Sequence, residues 1–309
     1  MNSSIDKFTY KIYIPTYGKY YWFSVFDNSM YLTLIKHIQN NDDDKVSDLF
    51  NRIIKELCVS TIDVNNLTCV DIFVILLNIR IMSVSPVFEF QTKVERGKEK
   101  VKHNIVIDLY EILNDVTNHE LNNRKTLEFT EGYKLTFSLP SNITAKNHDD
   151  LIVDLLELLT INDKKYDLKN VTKKQKVGIL DELPGDALYG IINHIKQLDQ
   201  KYRIPVFKEK DAEISTDISN LQLKLFDDSF FEFLKLLYNS NMEEQYYIKY
   251  IMVKHMGFDY PSIERMPPID VQTYVNMYRK ELDEQRKAEE KQSGNSVSNM
   301  SLPDPGFTQ

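Results

Sequence analysis

Few residues in this chain have the type and spacing that chemistry requires. The six histidines are His37, His103, His119, His148, His194 and His255. None has a second His or Cys two to five residues away, the spacing that presents two ligands to one metal ion. His119-Glu120 lacks the second histidine of a zinc-protease helix. His148-Asp149-Asp150 is the densest run of ligand-type side chains, and it stands where carboxylates cap a helix. The two cysteines, Cys58 and Cys69, lie in apolar helical stretches with no histidine near in sequence, and read as small buried hydrophobes. Nine glycines in all match neither a dinucleotide fingerprint nor a phosphate-cradling loop, and Gly-x-Ser-x-Gly is absent. Asp71 and Arg80 are the charged residues of an otherwise apolar helix. As a functional pair they would be notable, but charges of these signs at these ends are what the helix dipole favours, so they are read as a structural motif. No catalytic residue, cofactor-binding residue or metal ligand emerges, and no cofactor is expected. The alternative is an enzyme whose site is assembled from dispersed carboxylates and histidines without a motif.

The elements that position these residues are legible in the hydrophobic pattern. Phe8 to Ile14 alternates, Pro15-Thr16-Tyr17-Gly18 turns, and Tyr20 to Phe26 returns, which predicts a hairpin. Asp27-Asn28-Ser29 offers caps for a helix from Met30 to Gln39. Val46, Leu49, Phe50, Ile53, Ile54 and Leu57 form one helical stripe, with Asp42 to Asp44 at its positive end. Thr68-Cys69-Val70-Asp71 is a capping box that opens an apolar helix from Ile72 to Met82. Strands are expected at Phe88 to Gln91 and His103 to Asp108, a short helix at Leu109 to Val116, and a second hairpin from Leu127 to Leu139. Leu151 to Leu159 reads as helix, as does the segment opened by the capping box Thr172 to Gln175, and as does Ala187 to Leu198. Ile204 to Phe207 and Ile218 to Phe226 read as strands. Phe230 to Tyr238, then Glu243 to Met256 ending at Gly257, are helices, and Pro267-Pro268 starts a last one. The fold class is α+β: an N-terminal hairpin with helices, central antiparallel strands, and a helical C-terminal region with a charged terminal helix. The expected units are 1–85 (hairpin and helices), 86–140 (strand-rich, packed on the first), 148–226 (mixed) and 228–292 (helical). Residues 293–309 have the Ser, Asn, Pro and Gly content of a disordered tail.

With 309 residues, 42% of them apolar and 27% charged, the chain has globular composition and enough length for a real core. Its net charge of −8 favours solubility and opposes general nucleic-acid binding, which wants a basic face. The N-terminus has no cationic segment followed by an apolar run, so no signal peptide is read, and the apolar stretch at 72–81 is too short to span a bilayer.

Two features favour binding to other proteins. Tyr10, Tyr13, Tyr17, Tyr20, Tyr21, Trp22, Phe23 and Phe26 crowd one hairpin. A strand pair buries only one face on its own helices, so some of these rings must meet solvent or a partner. Tyr17, Tyr20 and Trp22 are the candidate anchors. The terminal helix carries a narrow stripe of Val271, Tyr274, Val275, Tyr278 and Leu282 beside a charged extension. That arrangement suits either the chain's own core or a partner's groove, and Val271, Tyr274, Tyr278 and Leu282 are the candidates there.

One sequence order is specific enough to compare with known proteins. A strand ends Ile14-Pro15-Thr16-Tyr17-Gly18-Lys19. An aromatic strand and a helix ending Ile53-Ile54-Lys55-Glu56-Leu57-Cys58 follow. Then Leu67-Thr68-Cys69-Val70-Asp71 leads to Leu76-Leu77-Asn78-Ile79-Arg80-Ile81-Met82-Ser83. This resembles the baseplate hub and hub-assembly proteins of T-even-type contractile-tailed bacteriophages. Helices over 230–256, Gly257-Phe258 and Met266-Pro267-Pro268 extend the likeness more loosely, to about two-thirds of the chain. Relatives often carry a Cys-x-x-Cys pair in the hairpin after the Asp…Arg helix, whereas residues 91–102 here have no cysteine. The resemblance implies a non-enzymatic hub subunit or a chaperone-like assembly factor whose partners are other baseplate hub proteins. It would act in the host cell cytoplasm during assembly and, if retained, in the virion tail baseplate, with no nucleic acid and no membrane span involved.

Overall fold

The computed structural model describes residues 8–96, 99–117, 124–129, 133–139, 148–169, 171–183, 185–201, 204–205, 222–223 and 229–297. Strands β1 (Thr9–Ile14) and β2 (Lys19–Ser24) form an antiparallel hairpin in continuous register, from Thr9 opposite Ser24 to Ile14 opposite Lys19. Gly18 closes its turn at φ +59°, a conformation that a side chain would strain. Helix α1 (Asn28–Gln39) starts on the carboxylate of Asp27, which accepts from the Met30 amide. Helix α2 (Asp43–Leu57) buries Val46, Phe50, Ile53, Ile54 and Leu57, the stripe seen in the sequence. Helix α3 (Cys69–Ser83) begins with both halves of the Thr68/Asp71 capping box in place and is buried almost all round, as its lack of polar positions requires.

Long strands β3 (Val87–Arg96) and β4 (Glu99–Asp108) pair antiparallel and lead into α4 (Leu109–Thr117). A four-stranded antiparallel sheet follows, in the order β5 (Arg124–Glu128), β6 (Tyr133–Ser138), β7 (Leu156–Ile161) and β8 (Lys164–Asp167). Helix α5 (His148–Leu155) runs directly into β7. The helix expected to reach Leu159 therefore ends four residues early. Two causes can be named. The Lys176 ammonium donates to the carbonyls of Val153 and Leu156, both at 3.1 Å, at the point where the helix stops. Leu156 and Leu159 then pair with Phe137 and Leu135 of β6. A run of leucines satisfies either period, so the neighbouring strand decides. The β7–β8 turn, Asn162-Asp163, has φ of 47° and 65°, the two-residue turn in which Asn and Asp are favoured.

Helices α6 (Lys173–Asp181) and α7 (Gly185–Lys201) come next, the first opened by the Thr172/Gln175 capping box. Of the two strands expected near 204 and 222, short β9 (Ile204–Pro205) and β10 (Gln222–Leu223) are seen and pair antiparallel. The rest of that expectation lies outside the described residues. Helices α8 (Ser229–Tyr238), α9 (Met242–Met256), α10 (Tyr260–Arg265) and α11 (Pro268–Val297) complete the chain. Gly257 ends α9 at φ 75°. Helix α11 continues into the segment whose composition suggested a tail, and residues 298–309 lie outside the described residues. No helix among the described residues is long and apolar enough to cross a membrane.

One continuous core takes buried side chains from Tyr10 through Tyr238, with α3 at its centre. A small second cluster joins Ile248 and Met252 of α9, Ile263 of α10, and Val271 and Val275 of α11. Within the main core, His194 of α7 is 6% exposed, and its ring lies 5.8 Å from that of Phe137. Burial, with help from the nearby Lys125 charge, pushes the imidazole down from its ordinary 6.5 to about 4. The unfolded chain thus takes up a proton near pH 6.5 that the folded chain refuses until about pH 4. Stability is fully present above 6.5 and falls as the pH drops between those values, by about 1–2 kcal/mol from pH 7 to pH 5. Denaturant unfolding of wild type and His194→Leu at the two pH values checks this. The variant should lose correspondingly less stability on acidification, and an equal loss would rule His194 out as a contributor.

Candidate functional site

The hairpin's alternation divides its rings between two faces. Tyr10, Ile12, Ile14 and Phe23 point into the core. Lys11, Tyr13, Tyr20 and Trp22 point outward, paired across the strands as Lys11 with Trp22 and Tyr13 with Tyr20. Tyr20 is 66% and Trp22 45% exposed, far more than rings of this size need to be if they served only their own core. Tyr13 and Tyr20 are in ring contact at 5.2 Å, and the Lys11 ammonium sits 4.9 Å above the Trp22 ring. Val59, whose amide donates to the Trp22 carbonyl, adds exposed apolar surface beside them. Tyr17 is set apart from this face. It is half-buried in the turn, edge-on to Tyr21 at 5.9 Å, and burial raises its hydroxyl pKa, with Tyr21, Asp71 and Asp63 acting in the same direction.

The hairpin is held rigidly by Asp71. This carboxylate is fully buried and accepts from the amide and hydroxyl of Thr16 in the hairpin turn, and from the amide and hydroxyl of Thr68 at the cap of α3. Arg80, nine residues on, faces other partners. Its guanidinium donates to the carbonyls of Leu237 (2.8 Å) and Ser85 (2.7 Å), and burial lowers its pKa. Nine residues of helix separate the two by about 13 Å, so they do not pair. Both side chains are buried. Asp71 ties α3 to the hairpin and Arg80 ties it to α8.

A second aromatic surface lies on α9 and α11. Tyr247 stacks on Tyr250, Tyr250 meets His255 edge-on, and His255 stacks on Tyr278, with centroids 6.1–6.4 Å apart. Tyr274 packs on Phe258 at 5.2 Å and remains 41% exposed. Of these rings, His255, Tyr274 and Tyr278 line an open groove of about 650 Å³ that also takes in Met256 and Met277. Val271 is buried in the small cluster beneath, so the first turns of α11 pack within the chain. Leu282 is exposed, and from Arg279 to Lys291 every side chain is exposed. Tyr13 and the α9 tyrosines were not singled out in the sequence. The signals for them are strand parity with Lys11 and helical position opposite Ile248 and Met252.

Another groove, of about 1010 Å³, lies between the hairpin turn, the start of α3 and the α5–β7 junction. It collects Asp154, Glu157, Lys169, Lys173 and Lys176. Burial raises the Asp154 carboxyl pKa, opposed by Lys176, and lowers that of Lys176, opposed by Asp154 and Asp167. Two of these groups have structural duties: Lys176 holds the end of α5, and Glu157 pairs with Lys169 at 3.1 Å. Among the described residues no group of three or more His, Cys, Asp or Glu is arranged to hold a metal ion. His119 and the side chains of His103, His148, Asp149 and Asp150 lie outside what is described.

Comparison with known proteins gives one positive result. Neither a curated protein nor a solved structure matches the chain. A family model described as T4 bacteriophage base plate protein matches residues 6–222, more than two-thirds of the sequence. The match takes in the hairpin, the Asp71 cap and the ionisable groove, and it stops short of α8. It points to a structural role in the baseplate and to contacts with other baseplate proteins. The chain belongs to the T4 bacteriophage base plate protein family.

Proposed function

We propose that this protein is a subunit of the baseplate hub, or a factor that assembles the hub, and that it acts by docking on other baseplate proteins without catalysis. The observation that carries this reading is the outward face of the hairpin, where Tyr13, Tyr20 and Trp22 stand exposed on a sheet whose other face is locked into the core. Rigid, half-exposed Tyr and Trp are favoured interface anchors because they bury much area and lose little side-chain entropy on binding. Tyr274, Tyr278 and Leu282 offer a second contact, with Val271 fixing the base of their helix. For a subunit, such surfaces are covered permanently. For an assembly factor, they bind an intermediate better than the finished state.

The test is capture of the tagged protein from phage-infected cells, with mass spectrometry of the bound proteins and of purified virions. Tail-hub proteins in the capture support the reading, and the virion sample separates subunit from factor. Tyr20→Ser combined with Trp22→Ser should weaken the captured contact at least ~30-fold, as loss of about 2 kcal/mol or more at a hot spot implies. Folding stability should barely change, because the rings are exposed. Unaltered capture by the double variant would remove the hairpin from the interface.

The ionisable groove favours the catalytic alternative, since a carboxyl raised and an amine lowered by burial are what proton-transfer sites use. Recovery of the protein alone or with metabolic enzymes would move attention there.

A further inference from the structure

We propose that the free edge of β1 takes up an extended strand of another baseplate protein, making the hairpin a three-stranded sheet across the interface. This rests on the docking role just described and specifies its geometry.

The phase of the hairpin ladder identifies the open groups. The Val25 amide donates to the Phe8 carbonyl. In an antiparallel pair, bonded residues alternate with unbonded ones, so Phe8, Tyr10, Ile12 and Ile14 bond across to β2. The amides and carbonyls of Thr9, Lys11 and Tyr13 then point away from β2. The far edge of β2 agrees with this phase: the Trp22 carbonyl turns outward and accepts from the Val59 amide, and Phe23 bridges to Cys58. That edge of β2 is thus partly covered, whereas β1 has no second neighbour among the described residues. An uncovered edge is normally blunted by proline, a bulge or repeated charge. β1, Thr-Tyr-Lys-Ile-Tyr-Ile, is in unbroken register and carries one charge, Lys11. Its other residues are β-branched or aromatic, the types that suit a paired strand.

The same register argues against a second copy as the occupant. Two β1 strands related by a two-fold axis, with Thr9, Lys11 and Tyr13 all bonded, place Lys11 directly opposite Lys11. Like charges in that position repel. The occupant is therefore a different chain, with an acidic side chain opposite Lys11 and an apolar one opposite Tyr13, continuing the outer face of Tyr20 and Trp22.

Lys11→Pro tests this, because position 11 gives no amide to β2 and an edge strand tolerates proline there. Capture of hub proteins from infected cells by the full-length tagged variant should drop at least tenfold, while Lys11→Arg, which keeps both the amide and the charge, should stay within about threefold of wild type. Amide exchange on the unsubstituted protein gives a readout that does not depend on the variant folding. The Lys11 and Tyr13 amides should exchange fast in the free chain and at least a hundredfold more slowly in the captured complex. Absence of added protection, or cross-links from position 13 to a second copy of this chain, would overturn the inference. If the Tyr20/Trp22 double variant still loses its partner in that case, the docking role stands and only strand addition fails.

Discussion

A chain ending at residue 228 is expected not to fold, although it contains the whole stretch that matches the family. Helix α8 supplies Phe230, Phe231, Phe233, Leu234, Leu237 and Tyr238, all at most 4% exposed. Phe230 stacks on Phe73 of α3 with centroids 4.5 Å apart, and Phe50 of α2 meets both Phe231 and Tyr238. The Tyr238 hydroxyl donates to the Leu76 carbonyl at 2.7 Å, and Arg80 has its Leu237 contact here. Burying each such side chain contributes roughly 1.5–3 kcal/mol, so losing six removes about as much as the whole stability of a typical domain. The truncated chain should be recovered insoluble or without a cooperative unfolding transition. Phe230→Ala in the full chain should cost about 3–5 kcal/mol. A soluble, cooperatively unfolding 1–228 fragment would show that the core closes without α8.

Asp71→Ala should be the most damaging single polar substitution at the hairpin, costing roughly 3–5 kcal/mol. It leaves the Thr16 and Thr68 amides without their acceptor, each unsatisfied donor costing about 1–3 kcal/mol, and so removes the carboxylate half of the α3 capping box while the Thr68 cap stays. Asp71→Asn keeps one acceptor oxygen and should cost about half as much. Thr16→Val, which keeps the amide bond and loses only the hydroxyl, should cost least. Chemical denaturation of the three variants gives the order directly. A loss below about 1 kcal/mol for Asp71→Ala would mean that water replaces the carboxylate. Because Asp71 anchors the turn beneath Tyr13, Tyr20 and Trp22, the same variant should also weaken partner capture without touching the exposed face.

These expectations assign the molecule's polar resources to positioning. Asp71 and Arg80 hold α3 between hairpin and C-terminal helix, and Lys176 ends α5 and lets β7 begin. The aromatic surface left exposed on the hairpin and on α9 and α11 suits a protein held among other proteins.

By itself the sequence determined the elements whose signals are local. The capping boxes at Thr68 and Thr172, the Asp27 cap, the αL glycine at Gly257 and the stripe of α2 were all legible, because each depends on contacts within a few residues. Hairpin alternation likewise determined that half of its rings must leave the core. Tertiary structure alone decided the rest. Leu155 to Leu159 contents both helix and strand, and pairing with β6 chose strand from Leu156 onward. Asp71 and Arg80 look alike as end charges until distant chain segments, the Thr16 turn and the end of α8, arrive to bond them. The stripe of α11 could not announce that it divides, with Val271 and Val275 in a core and Leu282 in solvent, because periodicity records which face is apolar and not where the neighbouring helices end.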